Sequence, residues 1–210
     1  MSSAAMTVNG WLRKVPVWPF YVLLFLPAIW WFALAVMDRL GPEPEKKLEH
    51  LYGMTALQLL IASLCVTPLL RMTRVNLMRF RRMLGLMGFY YVVLHFLVYA
   101  LLIVQLDVDE LVRDVTKRPY IIVGTASMLL LIPLAITSTN WSLRRLGTGI
   151  WNRIHCLAYP AVVFAILHYL WLVKTIHLEV LIYAAIVAFL IGYRVWRWAG
   201  SQMRSRRASA

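Results

Sequence analysis

Charge is scarce in this 210-residue chain: Asp, Glu, Lys and Arg together make up 15%, against 61% hydrophobic residues. Soluble domains run at about 25% charged and about 45–50% apolar residues, so a water-soluble enzyme and a disordered chain are both excluded. Cysteine is scarcer still. Cys65 and Cys156 are the only two, both inside apolar runs, which excludes a disulfide framework and reads them as small buried fillers. No G-x-G-x-x-G stands between a strand and a helix, and no polar segment is long enough for a dinucleotide domain. Asp, Glu, Lys and Arg are absent from the middle of every long apolar run.

What the chain has is those runs. About 20 apolar residues cross a hydrocarbon core as a helix. Six such stretches occur, at 18–38, 50–70, 83–105, 120–138, 151–172 and 178–198. Only helices satisfy their own backbone in lipid outside a closed barrel. The expected fold is therefore all-α, an integral membrane bundle of six transmembrane helices. It spans 18–198, between an N-terminal segment 1–17 and a basic tail 199–210. Gly41-Pro42-Glu43-Pro44, Pro119, Gly147 and Gly149 punctuate the connections. No internal repeat is visible. Ala33-Leu34-Ala35 has the form of a signal-cleavage site, but the apolar stretch is long for a leader and Trp30-Trp31 stands beside it, so the first span is read as retained.

Net charge is +13, and its distribution gives an orientation. With both termini on one side, that side holds fifteen basic residues, including Arg71, Arg74, Arg79, Arg81, Arg82, Arg194, Arg204, Arg206 and Arg207. The other side holds seven, including Lys46, Arg118 and Lys174, together with all nine acidic residues. The positive-inside rule then places both termini in the cytoplasm. The positive charge is an address, and nucleic-acid binding drops out.

Histidine is the ionisable residue that lies at depth. His95 is near the centre of the third span, His155 one turn into the fifth and His168 towards that span's far end. His50 and His177 fall at interfaces, where histidine costs little. A buried histidine often only bonds a neighbouring helix. Three of them without a buried carboxylate favour axial ligation of haem iron over a proton relay, and over the alternative of a histidine-lined metal or proton transporter. The chain has no C-x-x-C-H motif, so such a haem would be held without thioether links. His155 and His168, thirteen positions apart, are separated by about 20 Å of helical rise and cannot grip one iron unless Pro160 bends the span. By depth His95 pairs with His168, leaving His155 for a second haem or an arrangement shared with His95. Trp18, Trp151 and Trp171 read as interfacial anchors.

The runs RRMLGLMGFYYVVLHFLVYALL (81–102) and SLRRLGTGIWNRIHCLAYPAVVFAILHYLWLVK (142–174) resemble the MsrQ family, formerly YedZ, which is similar in its haem spans to ferric reductases and NADPH oxidases. LEHLYGMTALQLLIASLCVTPLLR (48–71) and KRPYIIVGTASMLLLIPLAITS (117–138) resemble that family's second and fourth spans. The resemblance implies a multi-pass protein of the bacterial inner membrane carrying one or two b-type haems on His95, His155 and His168. It implies electrons drawn from the quinone pool, bound FMN or a cytosolic flavin reductase, and passed to a periplasmic molybdopterin subunit, MsrP, that reduces methionine sulfoxide. Arg81 stands where the related oxidases carry a further histidine, which leaves the haem count open. Arg81 and Arg82 are candidates for a flavin phosphate, against the simpler reading that they only fix topology. The stretch 107–117 (DVDELVRDVTK) reads as an acidic loop on the opposite face, a candidate docking surface.

Overall fold

The computed structural model describes residues 3–173 and 177–208, with side chains for 5–173 and 177–203. The Lys174 side chain and the tail side chains Arg204, Arg206 and Arg207 lie outside the described residues. All regular structure in the described chain is helical: α1 (Ser3–Lys14), α2 (Trp18–Val36), α3 (Pro44–Thr73), α4 (Met78–Val98) running into a π-helical turn (Tyr99–Ile103), α5 (Val108–Lys117), α6 (Pro119–Thr137), α7 (Asn140–His155), α8 (Ala158–Leu172) and α9 (Leu178–Ala208). Six segments are long and apolar enough to cross a membrane: α2, α3, α4 with its π turn, α6, α7 with α8, and α9. Their outer faces carry large apolar side chains such as Trp30, Leu129 and Phe189, as a lipid-facing surface requires. Alternation of the spans gives the bundle an acidic end, with the α2–α3 connection, α5 and the start of α9, and a basic end with Arg71–Arg82 and the start of α7.

Helix α3 is the axis of the bundle. One stripe, Leu48, Tyr52, Ala56 and Leu59, packs with Ala28 of α2 and with Phe80, Met83, Met87 and Tyr91 of α4. A second stripe, Leu57, Leu60, Ile61 and Leu64, packs on Leu131 of α6, Ala161, Val162 and Ile166 of α8, and Val187 and Leu190 of α9. Each stripe follows the three-to-four spacing of a helix face. Lipid tails are as apolar as leucine, so close packing and polar ties hold such helices together. At Gly88 a Cβ would stand 3.0 Å from the Leu60 side chain, so glycine here favours the close approach of α4 to α3. Tyr52 and Tyr91 hydroxyls donate to the Ala28 and Leu24 carbonyls of α2 at 2.8 Å each, and the Ser127 hydroxyl of α6 donates to the Ala161 carbonyl of α8 at 2.8 Å.

Several features differ from the sequence reading, each for a physical reason. The fifth span is not one rod. It breaks at Cys156-Leu157, because Pro160 has no N–H for the Cys156 carbonyl, which instead accepts from Tyr159 N at 3.1 Å. Cys156 at this break is exposed and only Cys65 is partly buried, so the reading of both as buried fillers fails for Cys156. The stretch 107–117 is not a loop: α5 starts at Asp107, whose carboxylate accepts from Glu110 N at 3.0 Å, an N-cap that stabilises a short helix. Its Asp114 is 1% exposed, so this acidic stretch is not wholly a solvated face. A charged group also reaches the bundle interior from α9. Pro68 leaves the Leu64 carbonyl without its helical donor, and Arg194 Nη2 supplies one at 2.6 Å while its guanidinium lies over the Tyr159 ring.

Candidate haem site

Two cavities lie along the bundle, one towards each end. The acidic-end cavity, about 460 Å³, is lined by α3, α4, α6 and α8 and contains His95, His168 and His50. The His95 and His168 ring centres lie 6.2 Å apart with planes at 82°, edge to face. A metal bonded at about 2.0–2.1 Å to two opposed imidazole nitrogens separates the ring centres by about 6 Å. The spacing fits that requirement.

Both rings are seated by one device used twice. His95 Nδ1 lies 2.9 Å from the Glu49 carbonyl of α3, and His168 Nδ1 lies 2.7 Å from the Tyr120 carbonyl of α6. A carbonyl only accepts, so each Nδ1 carries the proton and each Nε2 keeps its lone pair, the tautomer that binds iron. Four residues after each carbonyl stands a glycine. A Cβ at Gly53 would come within 3.0 Å of His95 Nδ1, and one at Gly124 within 2.6 Å of His168 Nδ1. Glycine leaves each ring room to reach its carbonyl, and the fit is tightest at Gly124. Glu49 Oε1 lies 3.9 Å from His95 Nε2, beyond hydrogen-bond reach. The chemistry of the donor set and the apolar walls (Leu57, Leu60, Val92, Ile121) therefore suit a porphyrin-bound iron.

His155 is placed differently. It lines the basic-end cavity, about 450 Å³, with Arg79, Arg81, Arg82 and Trp151, and is the one histidine among its lining residues. Its ring stacks on Trp151 at 3.7 Å and 22°. Its Nε2 lies 3.2 Å from Thr137 Oγ1, whose own proton goes to the Pro133 carbonyl at 2.6 Å. With the hydroxyl proton so directed, the contact suits the tautomer protonated at Nε2, which keeps its lone pair on Nδ1. Arg82 donates to Asn140 Oδ1 at 2.8 Å, and Arg79 to the Leu12 and Arg13 carbonyls that end α1. Trp151 also donates to the Thr137 carbonyl at 2.9 Å and is a wall of this cavity. Trp18 and Trp171 are exposed. His50 is exposed at the mouth of the acidic-end cavity, and His177 is exposed before α9.

Sequence reasoning named the three histidines and two arginines but not the residues that contact them: Gly53, Gly124, the Glu49 and Tyr120 carbonyls, Thr137 and Trp151. Glycine inside an apolar helix was the available signal, since it is costly there without a packing reason.

The bundle and its paired histidines define a ferric reductase-like membrane component. The family described as ferric reductase-like transmembrane component matches residues 51–166. Proteins of Brucella ovis, Brucella canis and Brucella suis, each named protein-methionine-sulfoxide reductase heme-binding subunit MsrQ, are 43% identical to it over 191 residues, covering 91% of this chain and 85% of theirs. The chain belongs to the MsrQ family. No solved structure matches it.

Proposed function

We propose that the chain is a one-haem electron-transfer subunit of a methionine sulfoxide reductase system in the bacterial inner membrane. On this reading it takes electrons at its basic, cytoplasmic end and delivers them at its acidic, periplasmic end to MsrP. The observation that carries the proposal is the His95–His168 pair, 6.2 Å between ring centres, each Nδ1 tied to a carbonyl. The family resemblance and the relatives' name, heme-binding subunit, support it.

A bound b-type haem supplies a one-electron carrier within the hydrocarbon. His95 and His168 hold the iron, Gly53 and Gly124 admit the rings, and the carbonyls of Glu49 and Tyr120 fix the tautomer and raise ligand basicity. His155 has no histidine opposite it in its own cavity, so the one haem of this proposal is assigned to the other pair. With Trp151 it forms a flat aromatic wall facing Arg81 and Arg82, which suits a planar, phosphorylated donor such as FMN. The quinone pool or a cytosolic flavin reductase supplies electrons there. The transporter reading finds no group of three metal-ligating side chains among the described residues.

Stopped-flow reduction of the haem band by reduced FMN tests the donor end. Arg81→Gln/Arg82→Gln should leave the oxidised spectrum unchanged and slow reduction about tenfold at low salt. An unchanged rate contradicts the donor site.

A further inference from the structure

We propose that Lys46 and Arg118 form a two-cation carboxylate seat at the mouth of the acidic-end cavity, which receives the two propionates of the porphyrin. Tyr99 and Asp114 act on Arg118 as positioning residues. The inference rests on the haem reading above and deepens it.

Among all residues lining that cavity, only Lys46 and Arg118 carry a permanent positive charge. Their placement repeats the histidine device. Lys46 stands three positions before Glu49, whose carbonyl holds His95; Arg118 stands two before Tyr120, whose carbonyl holds His168. Both cations sit where a helix begins with proline, α3 at Pro44 and α6 at Pro119. The unpaired N–H groups of those first turns add to the attraction for anions. A porphyrin gripped by the two imidazoles thus has a cation and a helix N-terminus on each side of the cavity mouth.

Asp114 explains how Arg118 is kept there. This carboxylate is 1% exposed, and its burial is costly unless partners compensate. Tyr99, in the π-helical turn four residues after His95, donates its hydroxyl to Asp114 Oδ2 at 2.6 Å. Arg118 Nε lies 2.9 Å from Asp114 Oδ1. Arginine has five N–H donors in a fixed fork, more than Asp114 and the Tyr120 hydroxyl beside it engage, so donors remain for a second carboxylate. The chain Tyr99–Asp114–Arg118 also links the His95 helix to the start of the His168-seating helix. Lys46 pairs with Glu43, both well exposed, a contact weak enough to be exchanged for a propionate.

Haem-free protein, purified in detergent from a host unable to make porphyrin, should be titrated with iron protoporphyrin IX and with its dimethyl ester, which keeps the iron but lacks the carboxylates. The wild type should prefer the free acid. Arg118→Gln should lose about tenfold in affinity for the acid and little for the ester, Lys46→Gln should lose less, and Asp114→Asn should erode the preference with no further loss when combined with Arg118→Gln. Retained ester binding also reports that each variant is folded. Equal loss of acid and ester, or an undiminished preference in both cation variants, overturns the carboxylate seat while leaving the haem reading standing. A wild type that binds neither compound overturns both.

Discussion

Three histidines of the same chain meet two kinds of partner, and the atoms that decide are not on the histidines. At His95 and His168 a backbone carbonyl takes the Nδ1 proton; at His155 a threonine hydroxyl engages Nε2. His155→Ala should therefore leave the haem spectrum intact and alter only the donor reaction, measured by absorption and by reduction rate. Gly124→Ala is the sharper test of seating. Its Cβ would sit 2.6 Å from His168 Nδ1, so it should lower haem content several-fold, with Gly53→Ala milder and Gly10→Ala, which meets nothing within 4 Å, silent; pigment per protein is the measurement. The histidines were legible in the sequence because an ionisable residue in an apolar run stands out. The Glu49 and Tyr120 carbonyls were not, because every residue carries one and only the packing of α3 on α4 and of α6 on α8 selects two of them.

Among the elements, prolines decide where helices need outside help. Leu64 lacks a donor because of Pro68, and Arg194 supplies it from α9. Removing that donor leaves a buried carbonyl unsatisfied, so Arg194→Leu should cost about 1–3 kcal/mol, read from thermal unfolding in detergent. Pro68→Ala restores the helical N–H, and in that background the same substitution should cost clearly less; equal costs would deny the link. Hydropathy made the six spans legible because lipid demands long apolar helices. It hid α5, where an Asp107 cap and a few apolar residues stand among charged ones, and it hid the break at Cys156-Leu157. The break lies at the carbonyl that Pro160 deprives of a donor, four residues before the proline itself.

For the whole molecule, no repeat was visible in the sequence because what repeats is a handful of positions on unlike helices. Carbonyl, glycine and histidine recur as Glu49, Gly53 and His95, then as Tyr120, Gly124 and His168. On the proposed reading the charge asymmetry gives the bundle a direction, basic end inward. Gly10→Cys should be labelled by an impermeant thiol reagent only from the cytoplasmic face and Val108→Cys only from the periplasmic face; the reverse pattern would invert the proposed electron path. The proposed electron path stands on His95 and His168 gripping one haem iron between them. Its most direct test is the dithionite-reduced minus oxidised absorption spectrum of the purified protein and its histidine variants. A single b-type signal in the wild type, lost in both His95→Ala and His168→Ala and kept in His155→Ala, is the expected result. A colourless wild type, or a signal that survives in either of the first two variants, would contradict it.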